Sequence, residues 1–176
     1  EASLQVVFKQ QTRFQPAINF AAVYLLSQVI EQVSGQSVFQ FADRYLFQPL
    51  GITTYTAEDE NLLQDPMVGF QLKTLDLAKI GYLLSQEGNW EGRQIISKDW
   101  IRWLFFNAPQ AEFNDSVGGS WVKATTKGHD TLVARGDGGQ HLVLVPDLHM
   151  VVVKTSSSIF PLPQNNGHDR LLQLMI

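Results

Sequence analysis

Apolar residues recur at helical spacing in four stretches of the chain before residue 110. Between Ala17 and Val33 they return every three or four positions, and Gly35 follows, so the pattern predicts a helix ended by a left-handed glycine. Three further helices are predicted where a serine or threonine hydroxyl can accept a hydrogen bond from a free amide of the first turn. They begin after Ser37, which opens a helix ending near Pro49, after Thr74 and after Ser97. The segment at 49–69 is predicted to be a loop.

The periodicity changes to strand-like alternation from Gly118 onwards. Four short segments rich in β-branched residues are separated by turn residues, a pattern typical of an antiparallel meander. The segments are SWVKA, TLVAR, HLVLVP and MVVVKT, and HDRLLQLMI after them predicts a closing helix. Helices followed by strands favour an α+β fold in which helices cover one face of the sheet. The expected organisation is a mainly helical lobe at about 12–110 and a lobe of sheet and closing helix at 116–176.

The composition is that of a globular protein and excludes several classes of function. Hydrophobic residues make up 44% and charged residues 17% of the 176 residues, which excludes a disordered chain. A net charge of −4 provides no basic surface for nucleic acid. The longest apolar stretch, between Phe20 and Ile30, is too short to span a membrane. The absence of cysteine suits a periplasmic or secreted bacterial protein, with the cytoplasm as the alternative.

The sequence gives no support for metal or cofactor chemistry. The four histidines lack the paired spacing of metal ligands and are expected to be polar surface residues. They are His129, His141, His149 and His168. The glycines at 136, 138 and 139 match neither a P-loop nor a dinucleotide fingerprint, because a strand rather than a helix follows them. We therefore predict no metal and no cofactor.

The sequence Ser120 to Lys123 is a Ser-x-x-Lys candidate for nucleophilic serine chemistry. That chemistry needs the lysine amine within hydrogen-bond reach of the serine hydroxyl, and a helix provides this by placing residues three apart on one face. Here the pair falls in a predicted strand, where residues three apart point to opposite sides. We therefore predict that the pair does not cooperate and that the chain has no catalytic residue of its own.

The turn in ARGDGGQ has two interpretations. Asp137-Gly138 between two alternating segments is a strong signal for an ordinary β-hairpin. Alternatively, the glycines line a reaction cleft, because the absence of side chains lets backbone amides approach a substrate carbonyl. The residue pattern leaves both interpretations open.

Longer segments resemble the serine β-lactamase and penicillin-binding-protein-like hydrolases. The segments are LLSQVIEQVSGQS, LFQPLGI and GFQLKTLDLAKIGYLLSQEGNWEGRQIISKDWI, and the resemblance runs from about Thr12 to Thr155. The family includes class C β-lactamases, D-alanyl-D-alanine carboxypeptidases, esterases and 6-aminohexanoate-type amide hydrolases. The resemblance implies an acyl-serine hydrolase of amides or esters whose site lies between a sheet domain and a helical domain. Residues 1–176 would form a single C-terminal portion of that fold.

The family site is built from S-x-x-K, Y-x-N and K/H-T/S-G elements, and ARGDGGQ resembles a looser form of the third, A-x-G-x-G-G-Q, of the esterase and amide-hydrolase members. This resemblance implies a substrate-binding strand and turn made by five consecutive residues. They are Ala134, Arg135, Gly136, Asp137 and Gly138. The amide of Asp137 would be an oxyanion donor. Ala134 lacks the cation of the antibiotic-binding branches, which disfavours carboxylate-bearing β-lactams as substrates.

The other two elements depart from the family pattern. Ile18 occupies the tyrosine position with Phe20 at the asparagine position, or Ala17 and Asn19 do so in the neighbouring register. Neither register provides a phenol for proton transfer. The S-x-x-K element belongs upstream of Thr12. Two explanations stay open: the 176 residues are the C-terminal part of a longer hydrolase whose nucleophile lies outside them, or the protein is a degenerate, non-catalytic member that binds a ligand or regulates.

The expected partner is a small-molecule or peptide-like substrate. A partial fold also leaves a sheet edge and an apolar face open, so we expect self-association or pairing with a missing N-terminal segment.

Overall fold

The computed structural model describes residues 20–57, 69–108, 121–136 and 139–156. Backbone contacts group the chain into two compact units, Glu1–Lys73 and Thr74–Ile176. Within the described residues, helices precede a four-stranded antiparallel sheet, which confirms the predicted α+β class. The closing helix predicted for HDRLLQLMI lies outside the described residues. The predicted lobes at 12–110 and 116–176 stay a prediction.

The first unit contains helix α1, Phe20–Ser34, and helix α2, Val38–Ala42. Gly35 follows the first helix with a φ of 67°, so the predicted left-handed end is confirmed. Ser37 begins the second helix as predicted: its Oγ accepts a hydrogen bond from the Gln40 amide over 3.3 Å. In return, the Ser37 amide donates to Gln40 Oε1 over 3.1 Å. Each end of this capping box satisfies an amide that the helix leaves unpaired.

The predicted second helix does not continue as an α-helix to Pro49. A π-helical turn, Asp43–Phe47, follows α2, and the amide of Gln48 donates to the carbonyl of Asp43 over 2.9 Å. Such a turn inserts one extra residue into the helix and shifts the following side chains around its axis. Phe47 ends the turn with only 2% of its surface exposed.

A short antiparallel ribbon pairs β1, Tyr55–Ala57, with β2, Phe70–Leu72. The ring of Phe47 packs against the rings of Tyr55 and Phe70, with centroid distances of 4.9 and 4.7 Å. The predicted loop at 49–69 is therefore wrong for β1. A three-residue strand is too short to show alternation, and the aromatic contacts that hold it join positions distant in sequence.

The second unit has two helices and a small hairpin before its sheet. In chain order these elements are helix α3, Thr74–Ser85, strand β3, Asn89–Trp90, strand β4, Arg93–Gln94, and helix α4, Lys98–Asn107. Glu91 and Gly92 join the two strands with φ values of 49° and 83°, the left-handed pair that suits a tight hairpin. Ser97 caps the last helix as predicted, because its Oγ accepts from the Trp100 amide. Thr74, predicted as a cap, is instead the first residue of α3, and its hydroxyl contacts that of Thr155.

The four predicted strands are confirmed and follow one another in a meander. They are β5, Val122–Thr126, β6, His129–Gly136, β7, Gln140–Val145, and β8, Met150–Lys154, with neighbours in the order β5-β6-β7-β8. Lys127 and Gly128 make the first turn with φ values of 49° and 85°. A single 3₁₀ turn, Pro146–Leu148, makes the last one, as the Pro-Asp sequence predicts.

The two faces of this sheet carry different clusters of buried apolar side chains. One cluster joins Leu132, Leu142 and Leu144 to Leu84 of α3 and Ile101 of α4. The other, on the opposite face, consists of Val122, Ala124, Val133, Val143, Val145 and Val152. Because β6 and β7 are buried on both faces, their sequences are apolar without interruption in the middle. Helices α3 and α4 therefore pack against one face of β6, the strand that ends at the candidate site.

Candidate active site

The candidate turn joins the end of β6 to the start of β7. Gly136 pairs with Gln140 as the last pair of the ladder, and Gly139 has a φ of 86°. The local interpretation as an antiparallel hairpin is therefore correct. Asp137 and Gly138 lie outside the described residues, so the oxyanion role of the Asp137 amide stays a prediction.

Ala134, Arg135 and Gly136 are the last three residues of β6, next to the turn. Alternation along the strand separates their side chains. Ala134 packs against the apolar cluster beneath α3 and α4. Arg135 points to the opposite face, directly across from His141 on β7. Because their side chains alternate between the two faces, the three residues can contribute to one site only through their backbone groups.

Gly136 leaves room for the side chain of Gln140. A Cβ atom at position 136 would lie 3.2 Å from Gln140 Cβ and 3.4 Å from its Cγ. Gln140 Nε2 donates to the carbonyl of Ser156, and Gln140 Oε1 accepts from the Ser156 amide over 3.1 Å. Sequence reasoning quoted Gln140 as the end of the motif but gave it no role, because its partner lies 16 positions away.

Three basic side chains on neighbouring strands project from one face of the sheet, near the turn between β6 and β7. His141 pairs with Arg135 on β6 and with Lys154 on β8, and directly opposed residues project from the same face. His141 Nδ1 lies 3.0 Å from the carbonyl oxygen of Gly139. Because that oxygen only accepts, Nδ1 carries the proton in this contact.

The prediction that His141 is a surface residue is wrong, since only 5% of its surface is exposed. The hydrogen bond to Gly139 satisfies one ring nitrogen inside the sheet, which removes part of the cost of burying a polar ring. His149 is exposed and His129 half-buried, whereas His168 lies outside the described residues.

Lys123 lies in β5, which confirms the predicted strand at this position. Its Nζ donates to the carbonyl of Phe106 at the end of α4 over 2.8 Å and lies 5.6 Å from the centroid of that ring. The amine is thus held by the helix. Ser120 and Ile18 lie outside the described residues, so the predicted separation of Ser120 from Lys123 and the role of position 18 stay predictions.

Hydrogen bonds shift the pKa values of a phenol in the first unit and of a carboxyl in the second, neither of which belongs to the residues of the turn. A hydrogen bond with Asp43 raises the pKa of Tyr55, and hydrogen bonds from Lys98 and Arg102 lower the pKa of Glu87. Among the residues that the structure describes, no group of three or more metal-ligating side chains is close enough to hold a metal ion.

The fold is similar to a solved structure described as a 6-aminohexanoate-dimer hydrolase from Bacillus anthracis, with a TM-score of 0.69 and 19% sequence identity. The similarity covers 94% of this chain and 43% of that chain, so the chain spans less than half the length of that protein. The similarity shows a shared α+β arrangement of helices and antiparallel sheet. Comparison with protein-family profiles and with curated proteins gave no match.

None of the helices in the described ranges combines the length and the apolar character needed to cross a bilayer.

Proposed function

We propose that the chain is the C-terminal part of a serine hydrolase that cleaves an amide or ester through an acyl-serine, with the S-x-x-K nucleophile outside residues 1–176. One observation carries this proposal: β6 ends in Ala-Arg-Gly at a glycine turn, within a fold similar over 94% of its length to that of a hydrolase. In the proposed reaction the serine oxygen attacks the substrate carbonyl and forms a tetrahedral oxyanion. The leaving amine or alcohol departs, and water then releases the acyl group.

We assign the oxyanion-binding role to the backbone at the end of β6 and in the following turn. Amides aimed at the developing negative charge stabilise it in the transition state, and the site needs no side chain for this. Gly136 has no side chain that could obstruct the approach of a substrate carbonyl. The donor that we propose is the amide of Asp137.

The position of Ala134 supports a neutral substrate. Its side chain packs into the apolar cluster beneath the helices and carries no charge. A carboxylate-bearing β-lactam would find no cation at this position of the strand. We therefore propose an ester or amide without a required carboxylate next to the scissile bond.

A fluorophosphonate probe tests the proposal, because it modifies only a serine that is activated as a nucleophile. We expect the complete gene product to be labelled at the serine of an S-x-x-K sequence outside residues 1–176 and to hydrolyse p-nitrophenyl acetate. Replacing that serine with alanine should abolish both. Absence of labelling in the complete gene product would contradict the proposal.

The chain by itself serves as the matched control. Residues 1–176 should remain unlabelled, and Ser120→Ala should change nothing, because no acyl-serine can form without an activated nucleophile. A burst of nitrocefin hydrolysis by the chain that Ser120→Ala abolishes would show that Ser120 is the nucleophile.

A second candidate function is non-catalytic ligand binding on the same fold. Ile18, or Ala17 in the other register, stands where the family has its tyrosine, and neither can transfer a proton. Under this alternative the complete gene product resists the probe, while a peptide-like amide raises its melting temperature. Labelling by the probe would exclude the alternative.

A further inference from the structure

Helix α1 turns its aliphatic side chains to the solvent. Leu26, Val29 and Val33, spaced as one stripe of a helix, have 63%, 55% and 79% of their surface exposed. Val23 and Leu25 widen the stripe, with exposed fractions of 52% and 37%. These five side chains together form a surface that we call the outward face of α1.

The opposite side of the same helix is polar and better covered. Tyr24, Ser27 and Glu31 form a second stripe at the same spacing, in which Ser27 is 4% exposed and the other two are half-buried. The hydroxyl of Ser27 donates to the carbonyl of Tyr24 over 2.7 Å, which reduces the cost of burying it. A helix at the surface of a complete domain has the reverse arrangement, with its apolar stripe against the core. An exposed aliphatic stripe of this length marks an interface.

The width of the outward face indicates what kind of partner covers it. At about 100° per residue, the five side chains span an arc of about 160° around the helix axis. Two helices that dimerise as a coiled coil use a narrower seam and place charged residues beside it. Glu31 is the sole charged residue of α1, and it lies on the opposite side. The outward face therefore fits the interior of a domain, where apolar elements surround a helix, better than it fits a second copy of this chain.

We propose that the outward face of α1 is the docking surface for apolar, uncharged elements of the same polypeptide that lie outside residues 1–176. The similar solved structure has room for such elements, because the similarity covers 43% of that chain. The inference rests on the proposed function in one respect, that residues 1–176 belong to a longer protein, and not on hydrolysis. Removal of the aliphatic side chains from water drives the docking.

The absence of cysteine from residues 1–176 allows accessibility to be measured at single positions. Leu26→Cys and Val33→Cys report on the outward face, and Ser27→Cys is the control on the covered side. Mass spectrometry of the labelled peptides gives the rate of reaction with a maleimide at each position, so cysteines elsewhere in the complete gene product do not interfere. In residues 1–176 at high dilution, we expect the two outward cysteines to react quickly and the cysteine at position 27 slowly. In the complete gene product the outward cysteines should react at least about tenfold more slowly, because the docked elements must open before the reagent enters.

Protein concentration distinguishes docking within one polypeptide from docking between copies. Protection in the complete gene product that does not change on dilution supports the proposal. Protection that is lost on dilution would show that a second copy covers the face, and it would overturn the proposal. Unprotected outward cysteines in the complete gene product would overturn it as well, and so would outward cysteines that are already protected in residues 1–176 at high dilution.

A charged substitution tests the docking by an independent measurement. Val29→Lys places an amine within the outward face, and burying that charge is costly. We expect it to lower the melting temperature of the complete gene product by roughly 5 °C or more and to leave that of residues 1–176 nearly unchanged. Gln32→Lys is the matched control, because Gln32 is polar and exposed in the same helix. Equal effects of the two variants, or an equal effect of Val29→Lys in both proteins, would contradict the proposal.

Fluorophosphonate labelling keeps the docking proposal distinct from the hydrolase proposal. A complete gene product that resists the probe but protects the outward cysteines would support the docking and reject the hydrolase. A gene product that is labelled but leaves those cysteines reactive would reject the docking and support the hydrolase.

Discussion

A contact between His129 and Asp147 joins the start of β6 to the turn between β7 and β8: Nδ1 of the histidine lies 2.5 Å from Oδ2 of the aspartate. His129 begins β6, and Asp147 lies in the 3₁₀ turn between β7 and β8. The carboxylate can only accept, so the histidine donates. This hydrogen bond from His129 lowers the pKa of Asp147 below its ordinary value of 3.8.

A lowered pKa in the folded state makes the stabilisation by Asp147 dependent on pH. The contribution is complete above the ordinary carboxyl pKa and is lost as the pH falls through the lower, folded value. We expect Asp147→Asn to reduce the urea midpoint at neutral pH and to have progressively less effect in strong acid. Asp130→Asn removes an exposed carboxylate next to His129 in β6, and it should show a smaller effect. A reduction by Asp147→Asn that persists unchanged in strong acid would contradict the linkage.

Gly88 and Gly92 share a φ of 83° but differ in their surroundings. A Cβ at Gly88 would lie 2.1 Å from the carbonyl oxygen of Ile96, whereas a Cβ at Gly92 would meet nothing within 4 Å. Gly92→Ala should therefore cost about 1 kcal/mol, the usual penalty of the left-handed conformation. Gly88→Ala should cost clearly more, because the clashing atom belongs to the backbone. Equal free energies of unfolding for the two variants would show that the close contact is not present.

Gly81 lets α3 approach the sheet closely. A Cβ there would lie 2.6 Å from both Leu142 Cδ1 and Val151 Cγ1. Helix propensity alone would make Gly81→Ala stabilising by about 1 kcal/mol. We expect the clash to reverse the sign and destabilise the protein by about 1–2 kcal/mol, because overpacking forces buried side chains from their rotamers. Gly69→Ala, with open space around it, is the control in urea unfolding. A stabilised Gly81→Ala would mean that the helix can move away without cost.

The sheet could be predicted from the sequence, whereas the first unit could be predicted only in part. The runs at β6 and β7 contain enough β-branched residues to fix strands before any tertiary contact is known. The π turn at Asp43–Phe47 has no comparable signal, because the residue types do not mark where the hydrogen bond from the Gln48 amide to the Asp43 carbonyl replaces an α-helical one. The β1–β2 ribbon likewise depends on contacts between aromatic rings that are far apart in sequence.

The candidate site shows the same division between local and distant information. Asp137-Gly138 is a local hairpin signal, and β6 and β7 pair on either side of it. The pairing of the Gln140 side chain with Ser156 was not predictable, since Ser156 follows the end of β8, 16 positions further along the chain. The burial of His141 was predicted incorrectly because its stabilising partner is a backbone carbonyl, which any residue type at position 139 supplies.

Glu87 and Glu91 provide a matched pair for a final prediction about the α3–α4 connection. Both are left-handed, with φ values of 51° and 49°, so both pay a similar conformational cost. Glu87 also binds two side chains one helical turn apart on α4: Lys98, and Arg102 at 2.7 Å from Nε to Oε1.

Replacement of each glutamate by glutamine keeps the shape and removes the charge. We expect Glu87→Gln to lower the urea midpoint in low salt and Glu91→Gln to leave it nearly unchanged. Added salt should narrow this difference, because exposed ion pairs are screened. If the difference between the two variants is the same in low and high salt, hydrogen-bond geometry rather than charge fastens α4 to the preceding turn. If there is no difference at all, the ion pairs contribute nothing to stability, and the capped start of α4 at Ser97 is sufficient to hold the helix in place.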